Sequence, residues 1–222
     1  MKTVFNDADQ IKSVLRDLHT QKGSNKAKIV AISGIEGGGK RELTEKVAEA
    51  LRLTGISVAI VHTVDWEAAQ NIRFNVMNSP QEYYLNAYRL DDMVEQLILP
   101  LKLFGRVKTS VTLKNVLNPR TTNYDLDNID IILIEGVYLL QKAYLELYDY
   151  SIWVKSDFDS AFARLNNQFE AKQSYQALLN LFEGLIKPAA QYHIYTDDPQ
   201  GNAKSVYIEQ ENNDNVITPN NE

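Results

Sequence analysis

Lys40, Asp65 and Glu135 are the residues of this chain whose types and settings could do chemistry. Lys40 closes the stretch Gly34-Ile35-Glu36-Gly37-Gly38-Gly39-Lys40-Arg41. This matches a phosphate-binding loop, Gly-x4-Gly-Lys-Ser/Thr, up to its last position. In such a loop backbone N–H groups close around phosphate oxygens, the lysine meets the outer phosphates, and the hydroxyl holds magnesium. Arg41 stands where the hydroxyl belongs. Gly34, Gly37, Gly38, Gly39, Lys40 and Arg41 therefore form the candidate cradle for a nucleotide phosphate, and the handling of magnesium stays open. The alternative is a glycine-rich turn with a solvated lysine.

The flanking residues decide between these. Lys28 to Ser33 reads as a short buried strand running into the glycines. Beyond them Leu43, Val47, Ala50 and Leu51 recur at helical spacing, with Gly55 at a helix stop. Strand, loop and helix in that order aim a helix N-terminus at the loop, where unpaired N–H groups favour an anion.

Asp65 lies at the end of a second strand, Ser57 to Val64, and Glu135 follows the most hydrophobic one, Ile129 to Ile134. Strands alternating with helices argue for a parallel sheet covered on both faces, with ligands outside the carboxyl ends of its strands. Lys40, Asp65 and Glu135 then converge at one edge. In phosphoryl transfer a carboxylate takes the acceptor proton and a strand-end acid positions magnesium, often through water. Asp65 fits the first role and Glu135 the second. Asp65 could instead cap a helix beginning at Trp66, and Glu135 could be a solvent-facing strand end.

Composition sets the bounds. A chain of 222 residues suits one α/β domain with a sizeable core. Net charge is −6 with a pI near 5.2, and no Lys/Arg-rich run occurs, so a nucleic acid polymer is a poor candidate partner. Cysteine is absent, which excludes disulfides and thiolate metal sites. Met1 to Gln10 is polar and no apolar run approaches spanning length, so neither a secretory signal nor a membrane segment is expected and a cytoplasmic location is the default.

Along the chain, Ile11, Val14, Leu15 and Leu18 form one apolar stripe after Asp7 and Asp9, predicting an N-terminal helix. With its linker it occupies 1–26, ahead of a main domain at 27–209 and a disordered, asparagine-rich tail at 210–222. Asn71 to Gln81 is polar and irregular. Leu90, Met93, Val94, Leu97, Ile98 and Leu101 mark a helix that Pro100 must end or kink. Val107 to Leu113 is strand-like, and Asn118 to Asn128 reads as a loop rich in Asn, Asp and Thr. Ser151 to Val154 is a further strand, followed by Phe158, Phe162, Leu165 and Phe169 at helical spacing. Leu178 to Ala190 continues as helix until Pro188 disturbs it, and Ala203 to Ile208 is the last strand.

Beyond the loop, several further segments carry a resemblance. These are Val64-Asp65-Trp66, Tyr83-Tyr84-Leu85-Asn86-Ala87-Tyr88 leading into Leu97-Ile98-Leu99-Pro100-Leu101, Ile134-Glu135-Gly136-Val137, Ala163-Arg164-Leu165 and Ile186-Lys187-Pro188-Ala189. In this order the chain resembles the uridine kinase and phosphoribulokinase branch of P-loop kinases over roughly residues 28 to 208. The resemblance implies a three-layer α/β/α fold with a five-stranded parallel sheet and a small helical lid. It implies ATP with Mg2+ as phosphate donor and transfer to a hydroxyl of a nucleoside or similar metabolite, with Asp65 as proton acceptor and Arg164 as a lid arginine. Aromatic residues often flank the acceptor in that family, which directs attention to Tyr83, Tyr84 and Tyr88; ordinary helix packing is expected for at least one of them.

Departures from the family carry equal weight. Arg41-Glu42 replaces the hydroxyl residues after the lysine, and Glu36 places a negative charge inside the cradle, opposing phosphate unless Arg41 or Lys40 compensates. The family's several lid arginines shrink to Arg164, although one positioned arginine contributes on the order of 10³ in rate in other phosphoryl-transfer enzymes. Arg89 replaces an acidic residue. Two readings follow: an ATP-dependent small-molecule kinase, or a regulatory nucleotide-binding protein that kept the fold and lost the chemistry. A homo-oligomer is compatible with either.

Overall fold

The computed structural model describes residues 2–21, 26–75, 77, 79–113, 119–168 and 175–209. The expected tail at 210–222 and most of the linker after the first helix lie outside them. Strand β2 (Lys28–Gly34) is central because Ile29 to Ile32 is apolar on both faces, which only a strand covered on both sides tolerates. It pairs in parallel with β6 (Ile131–Gly136) on one side and β7 (Tyr150–Lys155) on the other. β3 (Val58–His62) extends the sheet beyond β6, while β8 (Ser205–Ile208) and β1 (Thr3–Phe5) extend it beyond β7.

The order is β1-β8-β7-β2-β6-β3, all parallel. The sheet thus has six strands against the five expected, since the residues before the first helix form an edge strand. Sheet with helices on both faces is the three-layer P-loop architecture that the sequence implied.

Helix α1 (Ala8–Thr20) begins at Asp7, whose carboxylate accepts from the Asp9 N–H, and it buries Ile11 and Leu15 against α2 (Lys40–Arg52). These two helices, with Val47, Ala48 and Leu51, cover one face of the sheet. On the other face lie α4 (Pro80–Asn86) and α9 (Lys187–Asp197), together with the helical run from Leu90 to Phe104.

Two prolines expected to break helices do not. In both places the chain widens into a π-helical turn just ahead of the proline, Val94–Ile98 before Pro100 and Phe182–Ile186 before Pro188. Wider winding moves the carbonyl that the ring would strike, so the helices run on to Phe104 and Asp197.

The stretch read as a loop at Asn118–Asn128 contains strand β5 (Arg120–Leu126), paired antiparallel with β4 (Val107–Leu113). Tyr124 and Leu126 alternate with exposed residues and bury against the main core, which offsets the weak strand preference of Asn and Asp. This hairpin is a separate two-stranded unit standing over the turn after β3.

At the carboxyl end of β6, a Cβ on Gly136 would lie 1.9 Å from Oγ1 of the buried Thr63. Gly136→Ala must therefore push the Thr63–Trp66 turn outward. We expect a loss of roughly 1–3 kcal/mol, read as a lower urea midpoint with an unchanged slope.

Candidate functional site

Gly34 to Lys40 turns from the end of β2 into α2, with the Gly38 N–H donating to Ile35 O at 3.0 Å to close the turn. Gly37 has a φ of 74°, and a Cβ there would meet Ala161 O at 2.2 Å, so only glycine lets α7 (Phe158–Gln168) pack onto the loop. The first N–H groups of α2 have no helical partner and face the cavity beyond the loop.

That cavity measures about 750 Å³, and Gly37, Gly38, Gly39, Lys40 and Arg41 line it. Lys40 is buried and donates to Ile35 O at 2.7 Å. Burial lowers its ammonium below the ordinary value, and the nearby Glu135 and Glu36 act against that. A desolvated lysine beside a glycine loop at a helix N-terminus suits the phosphates of a nucleotide.

Glu36 is the charge that opposes phosphate, and neither Lys40 nor Arg41 pairs with it among the described residues. Tyr88 donates to its Oε1 at 2.8 Å and Tyr83 to its Oε2 at 3.4 Å. Arg73, in the short helix α3 (Gln70–Arg73), approaches it at 3.8 Å and pairs with Glu67 at 2.7 Å. Burial by itself would lower Arg73, yet Tyr88, Tyr83, Glu67 and Glu36 outweigh it and keep the guanidinium charged. Burial, reinforced by Glu36, raises Tyr83 and Tyr88 far enough that both hydroxyls remain donors at neutral pH.

Arg41 points outward with 60% of its side chain exposed and faces Glu45 at 3.9 Å. Thr44 does not substitute for the missing hydroxyl, because it bonds back to Lys40 O at 2.8 Å. Glu135 is buried at the cavity wall, beside His62 on the neighbouring strand, with Nδ1 to Oε1 at 2.8 Å. Among the described residues no three His, Asp or Glu side chains gather as a metal site. Magnesium here would lean on Glu135 and on the nucleotide's own phosphates.

Asp65 is placed differently from its neighbours in the candidate set. It sits inside a 3-10 turn, Thr63–Trp66, and caps no helix. Its Oδ2 accepts from Tyr124 at 2.7 Å and its Oδ1 from Arg120, both from the hairpin strand β5. Asp65 does not line the cavity; Glu67, two residues on, does. Of the three tyrosines, Tyr83 and Tyr88 reach the cavity, while Tyr84 turns into the core and donates to Asp197 at 2.5 Å beside His193. Arg164 lies against the loop, with Nη1 3.5 Å from Gly37 O, and pairs with Glu209.

Residues that reading the sequence missed are His62, Glu67, Arg73, Arg120 and Tyr124. His62 was detectable in principle, being the last residue of a strand flanking the one that ends in Glu135. Arg73 lay in a segment read as irregular.

No protein-family model matches the chain. It is 28% identical over 198 residues to the tRNA-specific adenosine deaminase subunit tad2 of Schizosaccharomyces pombe, a match covering 87% of this chain and 47% of that protein. The chain thus spans about half the length of the curated relative it matches. Among solved structures, a possible uridine kinase from Bacillus stearothermophilus superposes with a TM-score of 0.69 at 21% identity, covering 90% of this chain and 97% of that one. A candidate fructose transport system kinase from Silicibacter sp. gives 0.72 at 19% identity, with the same coverage of both chains. D-glycerate 3-kinase from Cryptococcus neoformans gives 0.58 at 12%, over 84% of this chain and 89% of that one. At these identities the likeness is one of fold, and the fold is that of the uridine kinase-like P-loop kinases.

Lys40 carries an unfavourable burial that a bound anion would offset further. Lys40→Met should leave the melting temperature unchanged or higher, while nucleotide affinity measured by calorimetry falls roughly ten- to a hundredfold, the worth of a hydrogen bond to a charged group.

Proposed function

We propose that this protein is an ATP-dependent phosphotransferase acting on a hydroxyl of a small metabolite, a nucleoside or a compound of similar size. The observation that carries the reading is the cavity whose wall holds both the glycine loop with Lys40 and the group Tyr83, Tyr88, Glu67 and Arg73. The loop suits the phosphates of a donor, and the aromatic faces and hydrogen-bonding groups suit an organic acceptor. Gly34 to Gly39 would cradle the phosphates, Lys40 would hold the outer ones, and Arg164 would add charge beside the loop. Mg2+, where bound, supplies charge neutralisation between the donor phosphates, and Glu135 is the residue on its side.

A second reading has a specific observation behind it. Arg41 offers no hydroxyl to magnesium, and both oxygens of Asp65 are occupied by hairpin donors. That arrangement favours a protein that binds nucleotide and reports on it without transfer. The deamination named for the fission yeast relative is not taken over. A chain without cysteine cannot build the His/Cys/Cys zinc site on which base deaminases of that kind rely. Its acidity likewise favours small metabolites over nucleic acid polymers as partners. No helix of the described residues is long and apolar enough to cross a membrane; the cytoplasmic setting is proposed from the sequence alone.

Purified protein given ATP, Mg2+ and a panel of nucleosides and sugars should phosphorylate at least one acceptor. Binding without conversion at any metal concentration would install the second reading, and no heat at millimolar nucleotide would end both. Arg41→Thr should tighten nucleotide binding only when Mg2+ is present.

A further inference from the structure

Two cavities meet at one carboxylate. The phosphate cavity and a second, of about 520 Å³, share Glu67 and Tyr88 in their walls. Ala69, Ile72, Leu85 and Leu90 give the second cavity an apolar side, Asn86 and Gln141 give it amides, and Arg89, Asp91 and Asp92 give it charges, a mixture that suits the body of a small polar organic acceptor.

The position of Glu67 is set by the backbone. Residues 66–68 run antiparallel to 87–89, through Ala68 N to Ala87 O at 3.0 Å, Arg89 N to Trp66 O at 2.7 Å and a bridge between Glu67 and Tyr88. This short ladder holds both side chains at the junction whatever the ligand. Oε2 of Glu67 pairs with Arg73, and Oε1 has no hydrogen-bond partner among the described residues. Burial raises Glu67 above the ordinary carboxylate range, against the pull of Arg73. Asp65 has neither property: its two oxygens are taken by Arg120 and Tyr124, and it lines neither cavity.

We propose that Glu67, and not Asp65, takes the proton of the acceptor hydroxyl, with the body of the acceptor in the second cavity. This rests on the phosphotransferase reading above. The acceptor O–H bond breaks and its proton passes to Glu67 Oε1, while the acceptor oxygen bonds to the γ-phosphorus of a nucleoside triphosphate. The bond from that phosphorus to its bridging oxygen breaks, and the electron pair leaves with the nucleoside diphosphate. Glu67 then gives the proton to water. Arg73 favours the ionised form of Glu67 while burial and Glu36 oppose it, and Arg120, Arg89, Asp91 and Asp92 are the other charges on the elements packed around it.

The test compares Glu67→Gln with Asp65→Asn in the full chain, reading kcat/KM against pH, nucleotide affinity and melting temperature. Glu67→Gln should lose roughly a hundredfold or more in kcat, keep nucleotide affinity within a few-fold, and lose the acidic limb of the profile. Asp65→Asn should retain that limb whatever it does to the absolute rate. If no panel acceptor is converted, hydrolysis to water gives the same comparison, since water then donates the proton. An active wild type whose acidic limb survives in Glu67→Gln and vanishes in Asp65→Asn overturns this inference alone. A wild type that binds nucleotide and neither transfers nor hydrolyses overturns it together with the phosphotransferase reading. Should Glu67→Gln fail to fold, Glu67→Asp must shift the acidic limb, and an unmoved limb is the negative result.

Discussion

A carboxylate set inside a phosphate cradle has to be neutralised before any anion can enter, and much of the site is arranged around that requirement. Glu36 occupies the loop between Gly34 and Gly37, and the groups that answer its charge come from elsewhere in the chain: Arg73 from α3, Tyr83 from α4 and Tyr88 just after it. A buried, uncompensated carboxylate would be costly, and a buried arginine with only one partner nearly as much. Arg73 lies between Glu36 and Glu67, so that one cation faces both acids. The price in freedom is that the loop, α3 and the segment before Leu90 are electrostatically tied together.

This tie joins the glycine loop to the elements on the far side of the cavity. In a P-loop protein the loop usually answers only to phosphate, through N–H groups and a lysine. Here the same loop also presents a carboxylate to Tyr83, Tyr88 and Arg73 in the cavity wall. Glu36 and Lys40 thus line one space with opposite charges.

The hairpin of β4 and β5 adds a second constraint. It stands apart from the main sheet, packs Val107, Val111 and Leu126 into the core, and commits Tyr124 and Arg120 to Asp65. Tyr124 is buried and stacked 6.5 Å from Trp66, so this contact fixes the Thr63–Trp66 turn. Fixing that turn in place also fixes Glu67, the next residue along. A carboxylate that holds the turn is thus separated from one that faces the ligand, though only one residue lies between them.

What could be read from residues alone was local. The strand, glycine loop and helix around Lys40 were legible because their apolar spacing and glycines are contiguous, and so was Glu135 at the end of an all-apolar strand. β5 was not, since Asn, Asp and Thr at Asn118 to Asn128 carry turn chemistry and become a strand only once β4 and the core accept Tyr124 and Leu126. Nor could the sequence tell Tyr83 and Tyr88 from Tyr84, because which side of a one-turn neighbourhood meets a cavity depends on what packs against the other side, here Asp197 and His193. The sequence by itself determined the glycine loop and the parallel sheet that aims it, through short-range pattern. Only the tertiary structure decided which charges meet, because Glu36, Arg73 and Glu67, and likewise Asp65 and Arg120, are separated in the chain and brought together by the packing of elements whose contacts no local spacing encodes.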